Sequence, residues 1–154
     1  MNSQNIILDY KLKKILAALC LAVSFTLQHF ITFKYVCQTD ERWPTFYGFP
    51  FVQSTDHSWI FSMSGDLFIK GFIGNILFLG LFFYGVIYLL GIAKHKICKI
   101  ISKSVIIILC IFSLVFIYFE ITVFDWRLEW DHDNFKMNYY QQDLDCEKTF
   151  KFFD

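Results

Sequence analysis

Three long apolar runs dominate the chain, from about Ile15 to Phe33, from about Leu67 to Ala93 and from about Ser104 to Phe124. A spanning helix needs about 20 largely apolar residues, which at about 1.5 Å each cross a hydrocarbon core of about 30 Å. The pattern therefore predicts an all-α membrane protein, a single integral membrane domain over residues 1–154 with three transmembrane helices (about 15–33, 67–93 and 104–124). Lysines set its direction, because cytoplasmic flanks collect them. Lys11, Lys13 and Lys14 precede the first run, and Lys94, Lys96, Lys99 and Lys103 separate the second from the third. The N-terminus is thus expected to be cytoplasmic and the C-terminus outside, with an aromatic, irregular outer loop at 34–66 and a short structured outer tail at 125–154. Trp43, Trp59, Trp126 and Trp130 all fall in those outer segments, where indoles favour the headgroup zone. No A-x-A site follows the first run and no lipobox precedes Cys20, so the run is expected to stay in the mature protein.

The segments between the runs carry their own pattern. Both prolines, Pro44 and Pro50, lie in the outer loop with Gly48 among aromatic residues. Proline and the residue before it resist helical torsions, so the loop is expected to lie along the interface or to cap the helix ends. A short re-entrant helix is the alternative. Ser62, Ser64 and Asp66 are placed to cap the second helix. In the tail, Trp126 and Trp130 are four residues apart and predict one further turn of the third helix. Alternation at Phe135, Met137 and Tyr139 predicts a short strand, and Phe150, Phe152 and Phe153 are expected to pack on the proline loop or on a partner.

Composition strengthens the membrane reading. Hydrophobic residues make up 56% of the chain and phenylalanine occupies 20 positions, above the roughly 45–50% apolar content of a soluble domain. Basic and acidic residues cancel at 14 each, so no basic surplus suits a nucleic-acid partner. The zero is a sum of opposite faces, with lysines on the cytoplasmic side and carboxylates in the outer segments. No N-x-S/T sequon occurs, and the expected compartment is a bacterial inner membrane.

Candidate chemistry is sparse. His29, Lys70 and Glu120 fall at similar depth near the outer ends of the three runs, with Asn75 deeper, and would form one shallow polar layer. Ionisable groups inside a membrane are functional hypotheses when a partner can be named. Here Lys70 either snorkels outward, pairs with Glu120 to fix helix register, or joins a proton or ion relay. Gly71, Gly74 and Gly85 share one face of the second helix and Gly80 and Gly91 another, which permits close approach from two sides. Cys37 and Cys146 are the cysteines of the outer segments and could be bridged in an oxidising compartment. Asp56, His57, Asp131 and His132 are weak metal candidates, since consecutive ligands do not converge on one point. No nucleophile elbow, C-x-x-C pair, H-E-x-x-H helix or phosphate loop is present. Neither an enzyme nor a cofactor is expected. The function that fits is a subunit or accessory factor of a larger membrane assembly, its partners being membrane lipid and either another membrane protein or a second copy. The alternatives are an oligomeric channel or transporter built on the polar layer and a membrane enzyme with an outer-surface site.

Overall fold

The computed structural model describes residues 3–37, 45–56, 60–92, 96–132 and 146–152. Three helices, α1 (Ser3–Leu27), α2 (Ile69–Ile92) and α3 (Lys96–Val123), alternate with six strands, β1 (Ile31–Cys37), β2 (Thr45–Gly48), β3 (Ser54–Thr55), β4 (Ser64–Phe68), β5 (Asp125–Glu129) and β6 (Cys146–Phe152). The strands form one sheet in the order β5-β4-β3-β2-β1-β6, antiparallel throughout except for the parallel pair β4–β5. The expected all-α, three-span architecture is therefore corrected. The described residues are 61% helix and 25% strand, and among them only α2 and α3 are long and apolar enough to cross a membrane.

The physical reasons can be read residue by residue. The first helix begins at Ser3 and ends at Leu27 instead of running on to Phe33. Past the lysines it offers only Ile15 to Leu27 as an apolar stretch, about 20 Å of helix. His29, at φ 52°, turns the chain out of the helix, and the alternating Ile31, Phe33 and Tyr35 then suit a strand. Leu67 and Phe68, expected in the second helix, belong to β4. The third helix begins at Lys96, so Lys96, Lys99 and Lys103 ride on its first turns. The extra turn expected around Trp126 is strand β5. The irregular outer loop is largely β1 to β4, and no helix occurs among its described residues. The strand expected at Phe135, Met137 and Tyr139 lies outside the described residues.

Because β4 and β5 run parallel, the helical hairpin between them is splayed. Ser64 pairs with Asp125 and Phe68 with Glu129, so α2 leaves one end of this strand pair and α3 arrives at the other. Four strand steps of about 3.3 Å separate them by about 13 Å, beyond the 8–10 Å of packed helix axes. Little direct contact joins α2 to α3, and α1 packs against both. Ala18 and Ala22 of α1 are buried, and Gly80 of α2 meets Leu19 and Ala22 closely enough that a Cβ there would sit 3.5 Å from the leucine. Phe25 adds an edge contact with Phe83. Most of α3 is apolar and exposed, and Ser113 is the single buried residue of the helix.

On the sheet, Phe46, Val52 and Phe68 form a small core. A second aromatic cluster joins Phe33, Phe49 and Phe150 at centroid distances of 5.0–5.8 Å and reaches Phe78 of α2. Phe150 of the C-terminal strand thus lies on the proline loop.

Candidate functional site

Among the described residues, side-chain hydrogen bonds gather at the junction where α2 meets the loop before β3. Two glycines make it. A Cβ at Gly71 would collide with the Val52 carbonyl, and one at Gly74 would press on the Phe51 ring at 2.7 Å. Their absence lets loop backbone lie directly on the helix. One turn beyond Gly71, Asn75 is fully buried and reads that backbone with both ends of its amide. Its Oδ1 accepts from the Phe51 N–H at 2.8 Å. Its Nδ2 donates to the Phe51 carbonyl at 2.8 Å and to Gln53 Oε1 at 2.6 Å.

Gln53, 2% exposed, extends the network into α1. Its Nε2 donates to the Thr26 carbonyl at 2.6 Å and lies 3.3 Å from His29 Nδ1. Ser54 Oγ lies 3.5 Å from His29 Nε2, and the imidazole packs against the Tyr47 ring. The Thr32 hydroxyl accepts from the Gly48 N–H at 2.8 Å. Asn75, Gln53, Ser54 and Thr32 bring no formal charge to this network. A satisfied buried network of this kind rigidifies and specifies one arrangement. Here it fixes the end of α1, the loop and α2 to one another.

Ion pairs hold the β4–β5 side of the same junction. Arg127 grips Asp66 through Nε and Nη2 at 2.8 and 2.9 Å, across a register pair of the parallel strands. Asp66 thus serves the sheet and not the helix cap expected of it. Ser64 likewise turns back onto residues 60 and 61. Lys70 donates to Asp131 Oδ2 at 2.7 Å, and this contact holds the exposed Asp131 carboxyl below the usual carboxylate range.

The polar layer expected from the sequence is therefore distributed. Asn75 and His29 belong to one buried network through Gln53, Lys70 pairs with Asp131, and Glu120 stands on α3 at the far end of the β4–β5 pair. Lys70 and Glu120 stand apart because the parallel register of β4 and β5 separates the ends of α2 and α3. Among the glycines, Gly71 and Gly74 receive the loop, Gly80 receives α1, and Gly85 has open space where a Cβ would stand; Gly91 lines a cleft at the other end of α2.

Cys37 and Cys146 are register partners on β1 and β6; their side chains lie outside the described ones, and no disulfide is present among the described residues. Of the weak metal candidates, Asp56 accepts from the Thr45 N–H and the Tyr47 hydroxyl, Asp131 is held by Lys70, and His132 packs on Phe46 and Phe68. His57 lies outside the described residues. Among the described residues no group of three or more His, Cys, Asp or Glu side chains gathers to hold a metal.

Two features escape the sequence reading. Gln53 carries no sequence signal of its own, since a glutamine in a loop reads as solvated. Strand β5 did leave one, in the strict polar–apolar alternation Asp125, Trp126, Arg127, Leu128, Glu129, Trp130. Compared with known protein families, curated proteins and solved structures, the chain finds no match.

Proposed function

We propose that this chain is a membrane-anchored interaction protein, an accessory subunit that holds a six-stranded sheet against the outer face of a bacterial inner membrane. One observation carries the reading. Polar groups that could have served conduction, Asn75, His29 and Lys70, are engaged in fastening the sheet to the helices, whereas β5 and β6, the edges of the described sheet, present apolar side chains to the surroundings. Leu128 and Trp130 are 63% and 70% exposed, and Phe152 is 61% exposed. Edge strands offer unpaired backbone groups for pairing with another chain, and exposed apolar patches mark interaction sites. The outward face of α3 suits lipid or a partner helix in the same way.

Lysines give the direction. Lys13 and Lys14, midway along α1, stand level with the last turns of α2, and Lys96, Lys99 and Lys103 ride on the first turns of α3, all remote from the sheet; the positive-inside tendency places that side in the cytoplasm. The sheet then occupies an oxidising compartment, where Cys37 and Cys146 can be joined. Antiparallel partners have Cα separations of about 4.5–5.5 Å, inside the range that a disulfide spans.

Photo-crosslinking residues at Leu128 and Phe152, in cells, test the interaction reading. A discrete adduct with a different protein, which also co-purifies in mild detergent, is the expected result. Adducts only between two copies of this chain would favour the oligomeric pore, and no adduct from either strand would overturn the proposal.

A further inference from the structure

The end of the molecule remote from the sheet contains a cleft of about 640 Å³ between α1, α2 and α3, within the roughly 300–1,000 Å³ typical of small-molecule sites. It exists because α2 and α3 are splayed and α1 only partly fills the space, presenting the small Ala17 to it. Its mouth and its wall differ in chemistry. Lys13 and Lys14 of α1 and Lys99 and Lys103 of α3 converge on it, with the Ser102 hydroxyl beside them, and none of the residues lining it is acidic. Lys14 is steadied by the Tyr88 ring, its Nζ standing 5.4 Å from the centroid. Below the lysines the wall is apolar, formed on α3 by Ile106, Cys110 and Leu114, which follow Lys99 and Lys103 along one helical stripe.

The wall has a telling length. From Lys103 to Leu114 the helix rises about 16 Å, and one leaflet of a hydrocarbon core about 30 Å thick is about 15 Å deep. A water-soluble anion has no use for such a wall, and a zwitterionic lipid brings no net charge to complement the lysines that line its mouth. We infer that this cleft is a binding site for an anionic phospholipid, whose phosphate meets Lys13, Lys14, Lys99 and Lys103 and whose acyl chain lies along the Ile106–Leu114 stripe. Basic pockets between transmembrane helices on the cytoplasmic side hold anionic head groups by the same complementarity. The lipid fills the space that the sheet register opens between α2 and α3, so the site rests on the membrane reading above.

The test uses the full chain in detergent, read by native mass spectrometry with dioleoylphosphatidylglycerol, dioleoylphosphatidylcholine or inorganic phosphate added. Phosphatidylglycerol is expected to be retained at least about tenfold better than phosphatidylcholine, and phosphate is not expected to displace it. Lys99→Gln with Lys103→Gln should weaken retention about thirtyfold, taking the usual contribution of each interfacial lysine. Ile107→Trp, which fills the cleft without touching its charge, should weaken it as well. Lys11→Gln with Lys96→Gln removes the same charge outside the cleft and should change retention less than about twofold. Equal retention of the two lipids, equal loss in both double variants, or displacement by phosphate would overturn the site. Release of the chain from membranes by alkaline carbonate without detergent would instead overturn the membrane reading itself.

Discussion

The two ends of the helical assembly are built on different principles. At the sheet end, α1, α2 and the loop before β3 are tied by side chain–backbone hydrogen bonds through Asn75 and Gln53, with glycines that let backbone touch helix. At the lysine end the helices diverge, like charges gather, and a cleft stands between them. A buried polar network tolerates no substitution that leaves a partner orphaned, whereas an open end tolerates changes of size. One end fixes the architecture and the other leaves space between the helices.

Asn75→Leu should show the largest effect. It keeps the volume but strands the Phe51 N–H, the Phe51 carbonyl and the Gln53 side-chain Oε1, and it should cost about 3 kcal/mol or more. Thermal unfolding of the purified chain in detergent measures this, and a loss under about 1 kcal/mol would mean that the junction is looser than its bond lengths imply. Next come two glycines of one helix. Gly71→Ala drives a methyl into the Val52 carbonyl and should destabilise by about 2 kcal/mol, whereas Gly85→Ala meets open space and should gain up to about 1 kcal/mol of helix propensity. Effects of the same sign would remove the contrast between the packed and open faces of α2.

Arg127→Met should cost about 1 kcal/mol, because the bidentate pair with Asp66 is half-exposed on the arginine side. The smallest effect belongs to Lys70 and Asp131. The folded carboxyl titrates below its unfolded value, so the pair's contribution is present above the ordinary carboxylate range and is lost as pH falls through the depressed folded value. Asp131→Asn should leave the unfolding midpoint at neutral pH nearly unchanged and flatten its decline in acid. An unaltered acid decline would show that other carboxylates govern it.

The legible and illegible parts of this fold divide by the range of the interactions that make them. Helices α2 and α3 are announced by their own residues, because an apolar run of that length has few other fates. The lysine clusters are equally plain, and they do lie together at one end. The strands were hidden for different reasons. In β1 the alternation of Ile31, Phe33 and Tyr35 was absorbed into an apolar run that His29 interrupts. In β5 the four-residue spacing of Trp126 and Trp130 fits a helix turn as well as one face of a strand. The parallel pairing of β4 with β5 is a tertiary fact, joining residues 61 apart in the chain, and it decides both the splay of the helices and the partner of Lys70. Asn75 was visible as an intramembrane polar residue, but its partners are backbone groups of a loop, which no residue type advertises.

Sidedness tests the account most directly, since the central claim puts the sheet and the lysine-bearing helix ends on opposite faces of a membrane. Cys98 is exposed at the lysine end, and Leu128→Cys supplies a thiol on the exposed edge of the sheet. Each is made the sole cysteine of the chain and treated in intact cells with a membrane-impermeant maleimide. The account predicts that the cysteine at position 128 is labelled at once and that Cys98 is labelled only after the membrane is permeabilised. Labelling of both thiols from the same side would contradict it.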